Sequence, residues 1–419
     1  MRMSRRDAIR AGLCFAGTLS AQGYFNSAFA VNQVDAPLVP SLKKDAEIAW
    51  QFFTMKTPGA PIGLVPAAVW PEGSSLGRYN ILTMWDAGSL ILAYISARSI
   101  GLIDEKEFDQ RMRTVMAFLK NSTFRWSQLS LPNYRTQIVG GSAAEGGYDT
   151  TDTGRLLLAL HILDKATNGA YGAKEQVARW NIAATVNKGQ PYDIKSSSRY
   201  EARCFNYIHY IARSYALWGI EVDTGFDREL KEGDESARQA FIDHVAAVGP
   251  IATEPHANEA IELGHSPRSR ILADALYAAQ QERYAETGRL TSVSEAPIDK
   301  QPWFTYQGYN LDAYAGPQWP VDSVVTERKW ATKEFAETYR MTSSKATYLW
   351  LAERGDAYSQ KLRNFISAKA PSNGFGFHPG IYEASGRAPR IMDVNTNATV
   401  LESIAFVLGD RKPLVEVRL

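Results

Sequence analysis

The chain has 419 residues, 46 Lys+Arg against 45 Asp+Glu for a formal charge of +1, and 45% hydrophobic residues. That is enough apolar content for a large core. The charge is too evenly balanced to offer nucleic acid or an anionic membrane surface the concentrated positive field it needs.

The chain opens with Arg2, Arg5, Arg6 and Arg10, followed by an apolar stretch from Ala11 to Phe25 and then Ser27-Ala28-Phe29-Ala30. A basic region, a short apolar core and a small-x-small site read as a signal peptide over residues 1–30. Ser4-Arg5-Arg6-Asp7 resembles the twin-arginine export signal, although an ordinary secretory signal with adjacent arginines fits the same residues. Polar Thr18, Ser20, Gln22 and Gly23 break the apolar core, which is too short for a membrane span of about 20 residues. Its removal leaves 42 basic and 44 acidic residues, a charge of −2, and predicts a periplasmic or secreted protein not inserted in the membrane. Cys14 leaves with the signal, so Cys204 has no intramolecular disulfide partner. Its apolar setting predicts a buried thiol ahead of a nucleophile.

Residues 31–42 read as an extended lead-in and 43–419 as one domain, because no low-complexity linker or abrupt charge change divides them. Helical periodicity dominates that domain. Ala46, Ala49, Trp50 and Phe53 make one stripe, and Leu90, Ala93, Tyr94 and Ala97 another. Asp104 and Glu107 begin a helix striped by Phe108, Met112, Val115, Met116 and Leu119, and Leu401, Ile404, Ala405 and Leu408 close the series. Helices near 45–56, 105–120, 174–187 and 358–370 carry charge on one face, as solvent-facing helices do. Those starting near 86, 152, 201, 342 and 396 are almost charge-free after their first turn, as Leu156-Leu157-Leu158-Ala159-Leu160 shows. Such helices are buried on most sides. Alternation of the two kinds predicts an all-α fold, an α/α toroid of six helical hairpins with an inner and an outer ring.

The inner helices of a toroid run parallel, so their N-termini gather at one mouth. Each is preceded by a polar loop carrying an acid or amide, which would bring Asp86, Asp149, Asp152, Glu201 and Glu254 to one cavity. Paired carboxylates are what glycoside hydrolysis requires, one to protonate the leaving oxygen and one to activate water or attack the sugar. For Asp86, Asp152 and Glu201, helix capping and catalysis are both open readings. Glu145 and Glu295 lie in loops with no evident helix to cap, and are the predicted acid/base pair. Asp86, Asp152, Glu201, Glu254 and Asp299 are predicted to position sugar or water. From Ser292 to Pro320 the chain is rich in aromatics, and Trp303 and Tyr306, with Trp85, are candidates to stack on sugar rings. Packing of that loop onto the barrel is the other reading. No cofactor is indicated. His256, Glu259 and His265 do not have a standard zinc spacing, so no metal site is predicted.

Several segments together are similar to a bacterial family catalogued as domain of unknown function 3131. They include Thr83-Met84-Trp85-Asp86, Asp152-Thr153-Gly154-Arg155-Leu156-Leu157, Arg179-Trp180-Asn181 and Tyr215-Ala216-Leu217-Trp218-Gly219. Thr287 to Glu295, Ile298-Asp299 and Asn395 to Glu402 continue the set, and the resemblance runs from about Lys43 to Pro413. It implies a six-hairpin glycosidase-like toroid without assigning a reaction. The expectation is an exported glycoside hydrolase or transglycosylase acting on a bacterial glucan or exopolysaccharide. The alternatives are a non-catalytic carbohydrate-binding or assembly factor, and a polysaccharide lyase using Arg155, Arg199 or Arg203 against a uronate. The expected partner in each case is an oligo- or polysaccharide.

Overall fold

The computed structural model describes residues 38–70, 77–195, 198–201, 207–311, 321–323, 330 and 332–419. The chain divides into a leading unit, Met1–Pro40, and a body, Ser41–Leu419. The signal peptide and Cys204 lie outside the described residues, as does most of the lead-in. Helix α1 begins at Leu38, so residues 38–42 are helical and not extended as expected. Pro40 is compatible with this because the first helical turn has no use for its missing N–H.

Helices alternate between outer and inner positions along the chain. The outer series is α1 (Leu38–Gln51), α3 (Glu105–Asn121), α5 (Ala173–Ala178), α7 (Glu235–Ala246), α9 (Pro267–Thr287) and α12 (Ala357–Lys369). The inner series is α2 (Met84–Ser99), α4 (Thr150–Ala166), α6 (Ile208–Ala216), α8 (Glu254–Leu263), α11 (Ser344–Glu353) and α13 (Val394–Leu408), with a short α10 (Lys333–Tyr339) before α11. Each inner helix packs on the next, α2 on α4, α4 on α6, α6 on α8, α8 on α11 and α11 on α13, and α13 returns to α2. The ring is closed, and the fold is the α/α toroid of six hairpins. Among the described residues no helix is long and apolar enough to cross a membrane.

Burial follows the two kinds of sequence. In α3 only one stripe is buried, with Phe108, Met112, Val115 and Leu119 in it. In α4, Leu156 to Leu160 are all inaccessible to solvent, and full burial of each leucine contributes about 1.5–3 kcal/mol. The tight fit of α2 on α4 depends on Gly88, where a Cβ would meet the Arg155 carbonyl oxygen at 3.0 Å. A strand pair joins the two ends of the ring: Ala68 faces Asp393 and Val69 faces Met392, antiparallel.

The interior of the ring also holds charge. Arg155 on α4 is fully buried and donates to Ser89 Oγ (2.8 Å), Tyr210 Oη (3.0 Å), Glu262 Oε1 (2.6 Å) and Glu402 Oε1 (2.9 Å). Those partners sit on α2, α6, α8 and α13. Burial outweighs the pull of Arg155 and, reinforced by Glu262, pushes Glu402 well above the usual carboxylate range. Arg155 is thus a structural ion and is not available to a uronate as the lyase reading requires. The side chain of Arg199 and the whole of Arg203 lie outside the described residues.

Two local expectations change. The helix expected over 174–187 stops at Ala178 and gives way to a turn, a 3-10 segment at Ile182–Thr185 and a strand at Val186–Asn187. Glu201, expected to open an inner helix, instead ends the strand Ser198–Glu201, which pairs with Gln190–Lys195, and α6 is described from Ile208. Short ribbons of this kind lead into the inner helices, as Ile81–Thr83 leads into α2, Met341–Ser343 into α11 and Met392–Asp393 into α13.

Arg155→Met would strip four acceptors of their donor and leave buried carboxyls uncompensated. We predict a loss of about 3–5 kcal/mol, read as a lower urea midpoint; an unchanged midpoint would show that Arg155 does not hold the ring.

Candidate active site

The N-terminal turns of the inner helices bring acids together. On α2, Asp86 occupies the third helical position of a capping box: its Oδ2 accepts from Thr83 N at 3.0 Å, and Thr83 Oγ1 accepts from Asp86 N at 3.2 Å. On α4, Asp149 is the N-cap and accepts from Asp152 N at 3.0 Å. Asp193, from the neighbouring strand, accepts from Thr150 N at 2.9 Å. Thus capping geometry, satisfying free N–H groups at positive helix ends, is what concentrates carboxylates here.

Crowding and burial then raise their proton affinities. Burial pushes Asp86 up to about 6 against the opposing effect of the Thr83 bonds, with Asp393 adding to the rise. Asp152 is raised well above the carboxylate range by burial and by Asp149 and Asp86, with Glu295 contributing. Asp193 rises to about 6 through burial and Asp149.

Glu295 comes from the loop after α9 and is 8% exposed. Burial and the carboxylate of Glu254 push it up to about 7, against the pull of Lys345. The Tyr207 hydroxyl beside it favours its charged form, yet no well-formed hydrogen bond ties that hydroxyl down. Tyr306 is 41% exposed, and its phenol is held well above the ordinary range by desolvation and by Glu295, Asp149 and Asp152. Glu295, Asp152, Asp86, Tyr207 and Tyr306 therefore belong to one electrostatic neighbourhood at the mouth.

The other residues singled out in the sequence have different settings. Glu145 ends the strand Ala143–Glu145, opposite Arg135, and is ion-paired with Arg135 at 2.8 Å with about half its side chain exposed. It lies at the rim, and the expected pairing with Glu295 has no counterpart in its contacts. Glu254 is fully buried, with its oxygens engaged by Lys345 Nζ, by Asn395 Nδ2 at 2.7 Å and by Ser294 Oγ at 3.3 Å, so it faces protein and not sugar. Asp299 accepts from Tyr382 Oη at 2.9 Å and Arg390 N at 2.7 Å, which anchors its loop. The side chain of Glu201 is outside the described residues.

Trp85 is buried, edge-on to Tyr207 at 5.3 Å, with the Arg155 guanidinium 5.1 Å from its ring, so it packs the floor and is not exposed for stacking. Trp303 is 38% exposed and lies edge-on to Trp70 at 6.4 Å. Its φ of 74° is a conformation a bulky residue rarely holds, and such strain concentrates at functional positions. The aromatic loop is pinned to the barrel by paired backbone bonds between Ile251 and Tyr309. Tyr314 and Trp319 lie outside the described residues.

Three residues of the site were not singled out from the sequence. Lys345 has a visible signal, a lone cation in the first turn of a helix with no other charge before its last residue, Glu353. Asp193 sits on the strand Gln190–Lys195, whose residues do not alternate cleanly between polar and apolar, and nothing local marks Tyr207. Among the described residues no set of histidine, cysteine and carboxylate side chains is arranged to hold a metal.

A carboxyl whose folded-state affinity is raised binds its proton more tightly folded than unfolded. Its contribution to stability is present at low pH and is lost as pH rises from the ordinary glutamate value of 4.5 through about 7. Glu295→Gln should therefore raise the thermal midpoint at about pH 8 and leave it nearly unchanged at about pH 4. Equal effects at both would contradict the assigned burial.

Comparison with solved structures places this geometry in a known fold. An endo-β-1,2-glucanase from Chitinophaga pinensis, solved with sophorotriose and glucose, superposes with a TM-score of 0.60 at 11% identity, over 90% of this chain and 94% of that one. A protein from Bacteroides caccae provisionally named a glucoamylase gives 0.59 at 12%, with the same coverage. An endo-β-1,2-glucanase from Talaromyces funiculosus with sophorose gives 0.51 at 10%, over 91% and 87%. At such identities the likeness is one of fold. The sequence matches no curated protein. Residues 44–409 match the model of the family described as protein of unknown function (DUF3131), and the chain belongs to that family.

Proposed function

We propose that the protein is an exported glycoside hydrolase or transglycosylase acting on a glucan, with Glu295 as the general acid. The observation that carries this reading is the placement of the Glu295 carboxyl, buried among the acids that the inner-helix N-termini gather, where burial and Glu254 push it up to about 7. A group that titrates near neutrality is the kind that can give a proton to a leaving oxygen under working conditions. Asp86, pushed up only to about 6, is the assigned base, and Asp152 is its proton-sharing neighbour. The paired-acid chemistry is thereby moved from Glu145, at the rim, to Asp86. Tyr306 and Trp303 offer exposed rings to the sugar. The fold shared with endo-β-1,2-glucanases makes β-1,2-linked glucan the first substrate to try.

Purified protein lacking residues 1–30 should release sugar from one of a panel of β- and α-glucans. Glu295→Gln should lower kcat by about 10²–10⁴ with folding intact, and Glu145→Gln should change it little. Saturable glycan binding with no release would replace the enzyme by a binding module.

The rate should follow a narrow bell in pH. It falls below about 6 as Asp86 gains its proton and above about 7 as Glu295 loses its own. Trp303→Ala should raise KM for long oligosaccharides several-fold with kcat retained. A fall in kcat alone would remove Trp303 from substrate binding.

A further inference from the structure

Glu254 is fully buried beside Glu295, and three side chains from separate parts of the chain hold it. The Lys345 ammonium and the Ser294 hydroxyl, at 3.3 Å, reach Oε2, while Asn395 Nδ2 donates to Oε1 at 2.7 Å. Ser294 immediately precedes Glu295, so the same segment that presents the acid is tethered to Glu254. Asn395 is fixed in turn: Ser89 Oγ donates to its Oδ1 at 2.8 Å, and Arg155 Nε donates to Ser89 Oγ at 2.8 Å. The oxygens of Glu254 are engaged by protein donors, and it has no exposed surface with which to meet a sugar. A carboxylate immobilised that thoroughly next to the acid acts through its field.

We infer that Glu254 and Lys345 are positioning residues forming a tuning pair for Glu295, a fixed negative charge partly cancelled by a fixed positive one, which together set how tightly the acid holds its proton. The inference rests on Glu295 being the acid of the proposed reaction, but its physical content concerns a titration and can be tested without turnover.

The described charged and titratable groups that face Glu295 come from several elements. They are Glu254 on α8, Lys345 on α11, Arg155 and Asp152 on α4, Tyr207 before α6 and Tyr306 on the aromatic strand. Asp393 at the start of α13 faces Lys345 and Glu254. Of these, Glu254 raises the acid most and Lys345 opposes it most. Removal of Glu254 should therefore make Glu295 a stronger acid, and removal of Lys345 as well should give part of that change back.

The test follows the carboxyl of Glu295 by NMR titration of protein with carbon-13-labelled glutamate, the signal being assigned by its absence in Glu295→Gln. Glu254→Gln should lower the midpoint by about one pH unit. The double variant Glu254→Gln/Lys345→Met leaves no unpaired buried ion and is the safer fold. Its midpoint should lie below the wild-type value and above that of the single variant. A midpoint that stays put or rises in either variant would overturn the inference. If the protein hydrolyses no glycan yet the midpoints move in this order, the tuning pair stands and the reaction assigned to Glu295 falls. If it hydrolyses glucan, the alkaline limb of the rate profile should move with the midpoint.

Discussion

The buried charge of Arg155 imposes the constraint on which the rest of the ring depends. An ion in a low-dielectric interior costs several kcal/mol unless paired and hydrogen-bonded. Arg155 meets that requirement by reaching across the ring to Ser89, Tyr210, Glu262 and Glu402. Ser89 passes the connection to Asn395, Asn395 to Glu254, and Glu254 to Lys345. One polar network thus joins all six inner helices and ends beside Glu295. Apolar packing brings the helices together, and the network selects one relative arrangement, because a shifted helix would leave a charge unpaired.

The same architecture explains why the mouth is acidic. The N-termini of α2, α4 and α13 carry Asp86, Asp149 and Asp393, each accepting backbone N–H groups. The positive ends of the helices favour negative charge there, while burial and mutual repulsion oppose ionisation. Opposed effects leave neighbouring carboxyls with different proton affinities, about 6 for Asp86 and about 7 for Glu295. In the proposed reaction that spread is what would separate the acid from the base.

Much of the fold was legible in the sequence because it depends on composition along a helix. The charge-free run Leu156 to Leu160 could only be buried, and the one-sided stripe of Phe108 to Leu119 could only lie on the outside. The acids at inner N-termini were legible for the same local reason. The setting of each acid was not. Glu145 looked free of structural duty because three-residue strands show no period, and its pairing with Arg135 depends on strand register. Nothing local in the sequence tells that Glu254 is engaged on both oxygens, because Lys345 and Asn395 reach it from other helices. The false start of α6 near residue 201 has a similar cause, since the ribbon Gln190–Lys195 with Ser198–Glu201 is stabilised by its partner strand.

A general acid at Glu295 requires that a sugar bond be presented to it. The most direct measurement is a crystal structure of the Glu295→Gln protein soaked with β-1,2-linked gluco-oligosaccharide. With Glu295 as the acid, a glycosidic oxygen should lie within hydrogen-bond reach of the residue-295 amide, roughly 2.6–3.2 Å, with a sugar against Tyr306. An oligosaccharide bound with its linkages away from residue 295, or seated only at the rim by Glu145, would contradict it.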